Sequence, residues 1–171
     1  EAAAAEGATE VHLVGGLHPD LPFHFYTDLL REISAAVPTL HIKAFTAVEI
    51  DYFASISGLS IEAVLQQLIE AGLGSMPGGG AEILGDTVRR IICPEKIPGD
   101  QWLAIHEIAH RLGLKTNATM LYGHVESVDD RIEHMQLLRE LQDRTSGFQV
   151  FIPLAWQPEN SPLKLDTKVT S

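Results

Sequence analysis

The chain has 171 residues, with 12 Lys and Arg against 23 Asp and Glu for a formal net charge of −11; 45% of its residues are apolar and 20% charged. That balance describes a folded domain, excludes a largely disordered chain, and leaves no basic stripe to neutralise a nucleic-acid backbone or an anionic membrane surface. No apolar run approaches the roughly 18 to 20 residues that span a bilayer, and the one cysteine, Cys93, excludes an internal disulfide or a cysteine-only metal site held by this chain alone.

Glu1 to Gly7 reads as the last turns of a helix stopped by glycine. With no initiator Met and no secretory pattern, the chain is expected to be a fragment of a cytoplasmic protein. Glu10 to Val14 is a predicted strand ending in Gly15-Gly16. Thr27 to Ala36 is a helix with Leu29, Leu30, Ile33 and Val37 on one face, broken by Pro38. His41 to Phe45 is the second strand, and Glu49 follows in a loop entering a helix. Ser60 to Ala71 carries Ile61, Val64, Leu65, Leu68 and Ile69 on one side and stops at Gly72. A short strand at Ser75-Met76 runs into Pro77-Gly78-Gly79-Gly80. A helix at Asp100 to Leu112 and a strand at Lys115 to Leu121 come next. Ser127 then opens a helix, with Asp130 as its capping-box partner. The last strand is Gln149 to Pro153, and the tail from Asn160 is polar and irregular.

Strand and helix alternation on this scale implies right-handed βαβ units and a parallel sheet, open or closed. Chemistry in such sheets gathers at the C-terminal ends of the strands. Those ends hold Gly15-Gly16-Leu17-His18, Thr46 to Glu49, Gly78 to Glu82, Tyr122 to Glu126 and Ala155 to Pro158, all rich in glycine, histidine or carboxylate.

Residues His106-Glu107-Ile108-Ala109-His110 spell H-E-x-x-H, the spacing at which two histidines share a zinc ion and the glutamate acts as general base. The run continues in a way similar to the extended metzincin protease signature, but Thr116 stands where that signature has its third histidine. At about 100° per residue, Ile105, Ile108, Ala109 and Leu112 form the apolar face, and His106 and His110 fall roughly 110° to 150° away. The two histidines are therefore expected on the outer flank of a surface helix. A zinc protease is the distant alternative.

Gly15-Gly16 directly after a strand lets backbone approach a ligand, although a tight turn explains it as well. Three consecutive glycines at Gly78 to Gly80 mark a place where backbone packs closely on something. They are not a Walker loop, since no Gly-Lys-Ser/Thr follows. Glu82 sits where a carboxylate accepts from vicinal hydroxyls or simply favours a helix N-terminus, and Glu126 before the Ser127 cap has the same two readings. Cys93 reads as a small buried apolar residue.

Taken in order, five strings resemble one family. They are His12-Leu13-Val14-Gly15-Gly16-Leu17-His18-Pro19, His41-Ile42-Lys43-Ala44-Phe45-Thr46-Ala47-Val48-Glu49-Ile50, Pro77-Gly78-Gly79-Gly80-Ala81-Glu82-Ile83, Asn117-Ala118-Thr119-Met120-Leu121-Tyr122-Gly123-His124-Val125-Glu126 and Gly147-Phe148-Gln149-Val150-Phe151-Ile152-Pro153-Leu154-Ala155. The family is the aminodeoxyfutalosine synthases, radical S-adenosylmethionine enzymes of the futalosine route to menaquinone. The resemblance runs from about Gly7 to Leu163. Cyclic dehypoxanthinyl futalosine synthase and the deazaflavin-forming enzymes are the related alternatives, and the Lys43 to Glu49 and Asn117 to Tyr122 strings favour the first family.

The resemblance implies an α/β fold, a partial (β/α)6 barrel of which residues 1–171 supply strands two to six. It implies S-adenosylmethionine, a [4Fe–4S] cluster and an electron donor to that cluster. The 5′-deoxyadenosyl radical then adds to a small-molecule substrate, 3-[(1-carboxyvinyl)oxy]benzoate, to give 6-amino-6-deoxyfutalosine. Gly15 and Gly16 look like the glycine pair that meets the amino group of the methionine moiety. The family-wide motif often ends in Glu where Leu17 stands, so the resemblance carries backbone contact alone. Glu82 resembles the residue that holds the ribose, and Gly123 and Glu126 match the adenine-side motif, in which Thr119 replaces the first glycine. Thr46, Glu49 and His124 are substrate-side candidates, and no catalytic residue is assigned. The cluster's cysteine loop belongs upstream of Glu1 and a C-terminal portion beyond Ser171, so these 171 residues are expected to bind no cluster and to be inactive alone.

Overall fold

Helices and strands alternate along residues 2–159, the part of the chain that the computed structural model describes. In order they are α1 (Ala2–Ala5), β1 (Glu10–Leu13), α2 (Phe23–Ala36), β2 (His41–Ala44), α3 (Ala47–Ser57), α4 (Ile61–Glu70), β3 (Ser75–Met76), α5 (Asp86–Ile92), α6 (Gly99–Arg111), β4 (Lys115–Tyr122), α7 (Val128–Thr145) and β5 (Phe148–Ala155). The strands form one parallel sheet in the order β1-β2-β3-β4-β5. Parallel crossovers follow a right-handed rule, and stepping to the next strand every time lays the connecting helices on one face. The result is one wall of a β/α barrel, the α/β architecture expected from the sequence. The polar tail from Asn160 lies outside the described residues.

Local signals explain most boundaries. Ser127 caps α7 by accepting from Asp130 N, and the Asp130 side chain answers the Ser127 amide, the expected capping box. Ser60 caps α4, and Gly72 turns the chain after it with φ +115°. Three boundaries depart from the expectation. The second helix starts at Phe23 rather than Thr27, with the extended Pro22 as its N-cap. Helix α5 has no counterpart among the elements expected from the sequence. Glu49 is not in a loop: it lies in the first turn of α3, capped by Thr46. That helix buries Ala47, Ile50 and Phe53 but also carries Val48, Ala54 and Ile56 on other sides, so no clean 3.6-residue period marks it.

The core lies between sheet and helices. Ile42 and Ala44 of β2 point into it, while His41 and Lys43 face the other side. Tyr26, Phe45 and Phe53 form an aromatic cluster, with the Tyr26 and Phe53 centroids 4.2 Å apart. Trp102 of α6 is fully buried and donates its indole N–H to Gly79 O at 3.2 Å. The core is therefore tied directly to the loop after β3. At the sheet edge, β5 leaves Val150, Phe151, Ile152 and Leu154 exposed.

Candidate functional site

The loops at the C-terminal ends of the strands form a connected rim. The first junction joins the ends of β1 and β2. Their register pairs Leu13 with Ala44, which brings Gly15 level with Thr46. Glu49, 2% exposed, fills that junction. Its Oε1 accepts from Gly15 N at 2.7 Å and Gly16 N at 3.2 Å. Its Oε2 accepts from Thr46 N at 2.8 Å and Thr46 Oγ1 at 2.9 Å. One carboxylate thus closes a capping box for α3 and holds the glycine loop of another strand.

The glycine triplet has a structural cause. A Cβ on Gly78 would stand 2.8 Å from Asn117 O and Ala118 C of β4; one on Gly79 would meet the Thr46 methyl at 2.9 Å; one on Gly80 would meet Val48 at 2.6 Å. The backbone that packs closely here packs on the protein itself, and Gly80 also takes φ +83°.

Glu82 follows in left-handed backbone, φ +46°, rare for a side chain larger than glycine. It is not at a helix N-terminus, since α5 starts four residues later. Arg89 holds this strained turn. It is 3% exposed, and its guanidinium donates to the carbonyls on both sides of Glu82, Ala81 O and Ile83 O, and to Gly80 O and Ile97 O. No carboxylate pairs with it among the described residues. His134 adds a second anchor, accepting from Leu84 N at 3.1 Å and donating to Thr119 O at 3.1 Å. Burial holds the His134 imidazole down at about 4, so it is neutral, as those two bonds require. Glu82 keeps a partly exposed carboxylate, 2.6 Å from Lys96 Nζ.

The loop after β4 is closed by Glu126. Its side chain is buried and accepts from His124 N at 2.8 Å, from Gly123 N, and from Arg131 Nε at 2.8 Å. Burial opposes its charge, but the Gly123 and His124 amides outweigh burial and leave the carboxyl below its ordinary range. The ring of His124 is buried too. Its Nε2 bonds Leu121 O at 3.0 Å and its Nδ1 accepts from Val125 N at 2.8 Å. Gly15, Gly16, Thr46, Glu49, Glu82, Gly123, His124 and Glu126 therefore all belong to the rim, but Glu49, His124 and Glu126 spend their polar atoms inside it. Nothing in the sequence separates Arg89, Lys96 and Arg131 from surface cations.

The H-E-x-x-H residues lie elsewhere, and their expected placement is corrected. His106 is fully buried and His110 half-buried, not outward-facing. The face that α6 buries is Trp102, Ile105, His106 and Ala109, because the large Trp102 ring rotates the helix toward the histidines. The His106 ring packs on Trp102, with centroids 3.8 Å apart and planes tilted by 33°. Both histidines meet the Thr116 hydroxyl, His106 through Nδ1 and His110 through Nε2, each at 2.8 Å. Thr116 is the second residue of β4, at the end of the sheet opposite the rim. Among the described residues no group of three His, Cys, Asp or Glu side chains is placed to hold a metal ion.

The chain is similar to known proteins over most of its length. Over 157 residues the chain is 52% identical to an aminodeoxyfutalosine synthase from Thermus thermophilus, and over 169 residues 50% identical to one from Streptomyces coelicolor. These alignments cover 92% and 99% of this chain but 42% and 43% of the relatives. A 5-amino-6-(D-ribitylamino)uracil--L-tyrosine 4-hydroxyphenyl transferase from Methanopyrus kandleri is 46% identical over 92% of this chain and 42% of its own length. The chain thus spans less than half the length of these relatives. The sequence profile of the radical SAM superfamily matches residues 1–138, which take in the glycine loop, the Glu82 turn and the Glu126 loop. On that match, carried by a sheet with its polar rim at the strand ends, the chain belongs to the radical SAM superfamily.

Proposed function

We propose that this chain is part of an aminodeoxyfutalosine synthase. In this reading residues 1–171 are a portion of the radical SAM core, and the full-length protein converts 3-[(1-carboxyvinyl)oxy]benzoate and S-adenosylmethionine into 6-amino-6-deoxyfutalosine. The supporting observation is the level of identity, 50–52% to two synthases across 92–99% of this chain. The transferase and FO synthase relatives stand at 43–46%.

The residues present fit S-adenosylmethionine. The glycine loop at Val14 to Gly16 is exposed beside β1, and Glu82 offers a partly exposed carboxylate, paired with Lys96, on a turn fixed by Arg89. In this reading Gly15 and Gly16 receive the amino group, Glu82 the ribose hydroxyls, and the Gly123 to Glu126 loop the adenine. The residues present do not fit an iron–sulfur cluster. Cys93 is single and buried, and burial pushes its thiol up, away from the thiolate that a ligand must be. The cluster and the electron donor that reduces it are therefore assigned to the remainder of the full-length protein, and no step is derived through them here. When bound, the cofactor supplies the radical chemistry of the superfamily; this chain's residues bind and orient it.

The test is an anaerobic assay of the full-length protein, reconstituted with iron and sulfide, with the enol-ether substrate and S-adenosylmethionine. Formation of 6-amino-6-deoxyfutalosine is expected. Cyclisation of dehypoxanthinyl futalosine, or coupling of tyrosine to a ribitylaminouracil, with no product from the enol ether, would overturn the reading.

A further inference from the structure

We infer that Glu49 is the positioning residue that turns the glycine loop into an acceptor for a ligand amino group. The inference rests on the cofactor assignment just proposed and assigns Glu49 a role behind the ligand, not against the substrate.

The argument starts from peptide geometry. The peptide bonds of the described chain include no cis bond, and in a trans peptide the N–H and C=O point in opposite directions. The Gly15 N–H belongs to the Val14–Gly15 peptide, and the Gly16 N–H to the Gly15–Gly16 peptide. Both N–H groups are held on Glu49 Oε1, at 2.7 and 3.2 Å. The carbonyls of Val14 and Gly15 must then face away from Glu49. Neither accepts a hydrogen bond among the described residues, and Val14, Gly15 and Gly16 are all exposed. Two adjacent carbonyl oxygens directed off the rim form an acceptor pair suited to the N–H groups of a ligand amino group.

Charge strengthens this pair. The two peptide dipoles run in the same sense, N–H toward the buried carboxylate and C=O toward the ligand. A negative charge at the N–H end polarises each peptide and raises the electron density at its oxygen. Position 17 in the loop is Leu, with no charge to offer, so the acid reaches the loop from the neighbouring strand end instead. Glu49 is itself fixed, because its other oxygen is held by Thr46 N and Oγ1.

A neutral isostere cannot reproduce this arrangement. Glutamine has one acceptor oxygen and one NH2, so either the two glycine amides or the Thr46 amide would face an N–H group. Glu49→Gln therefore loses the charge and one side of the bridge while keeping the volume.

The experiment uses the full-length protein and isothermal calorimetry with two probes, S-adenosylmethionine and 5′-methylthioadenosine, which lacks the amino-acid arm. Glu49→Gln is expected to weaken S-adenosylmethionine at least tenfold and to leave 5′-methylthioadenosine within twofold. Amide exchange at Gly15 and Gly16 should quicken in the same variant. Equal weakening of both probes would overturn the inference, since a general loss of structure moves both, and so would no weakening of either. If Glu49→Gln does not fold, Thr46→Ala, which removes one donor to Oε2, is expected to show the same selectivity at about threefold, and its absence counts against the inference. Product identity in the assay above tests the synthase reading separately. A different product with the probe selectivity intact would sink that reading and leave this one standing.

Discussion

Thr116 donates its hydroxyl to Nε2 of His110 across 2.8 Å, and the direction of that bond follows from the chain of groups beyond it. Thr145 Oγ1 donates to Leu141 O, which can only accept. His110 Nδ1–H must then donate to Thr145 Oγ1, leaving Nε2 unprotonated to receive Thr116. The Thr116 oxygen in turn accepts from His106 Nδ1–H, and His106 Nε2 is left buried without a partner. The network needs both imidazoles neutral. Burial, with His110 nearby, holds His106 well below its ordinary value, and burial with Lys115 holds His110 at about 4.

Stability should therefore depend on acid. The unfolded chain takes up protons at these histidines near pH 6.5, while the folded chain resists until about pH 4 for His110 and His134. Between those values the unfolded state binds more protons, so stability is full above about pH 6.5 and is lost as pH falls. Each histidine contributes at most about 1.4 kcal/mol per pH unit to that slope. Urea midpoints measured from pH 7.5 to pH 5 should fall steadily, and a His106→Gln, His134→Gln double variant should show a flatter profile.

The same geometry predicts that His110 is structural. His110→Ala should destabilise the fold by about 1 to 3 kcal/mol, through the hydroxyls of Thr116 and Thr145 left without their ring partner. Metal analysis of the two proteins should show no zinc bound by the parent and lost by the variant; stoichiometric zinc that vanishes with His110 would restore the protease alternative.

The glycines should separate by what surrounds them. Gly78→Ala drives a methyl into the β4 backbone, 2.8 Å from Asn117 O, and should destabilise by about 3 kcal/mol or more, as overpacking against rigid backbone does. Gly15→Ala meets Glu49 Oε1 at 3.6 Å and Tyr26 at 3.8 Å, ordinary contacts, and should lie within about 0.5 to 1 kcal/mol of the parent in thermal melts. Gly16, at φ +68°, falls between them.

Arg89 should be intolerant of substitution. Methionine in its place leaves the carbonyls of Ala81, Ile83 and Ile97 without their buried donor, and a loss of about 3 to 5 kcal/mol is expected. Lysine keeps the charge but cannot reach both sides of Glu82 with one planar fork, so Arg89→Lys should fold more stably than Arg89→Met while Glu82 loses its fixed turn. Hydrogen exchange over residues 78–85 reads that loosening directly.

Replacing Glu126 with glutamine should free the loop after β4, because the Gly123 and His124 amides and Arg131 lose a charged acceptor. A loss of about 1 to 3 kcal/mol is expected, with faster exchange at Gly123 and His124. An unchanged melt would mean that the amides, not the carboxylate, define the loop.

Sequence periodicity and capping chemistry sufficed for what is local. Ser127 with Asp130, Gly72 after the α4 pattern, and the alternation of β and α are set by groups within four or five residues of one another. The position of the rim followed as well, because parallel order puts every glycine- or acid-rich strand end on one side. What the tertiary structure decided was which side chains serve the rim and which serve the core. Glu49 meets Gly15 across 34 residues only because β1 and β2 pair Leu13 with Ala44. Arg89 looks like a surface cation until the turn around Glu82 wraps its guanidinium, and His106 looks outward until Trp102 fixes the rotation of α6. Local signals act through the backbone of one segment, whereas these roles depend on strand register and on the largest side chain at an interface, which exist only once distant segments have packed.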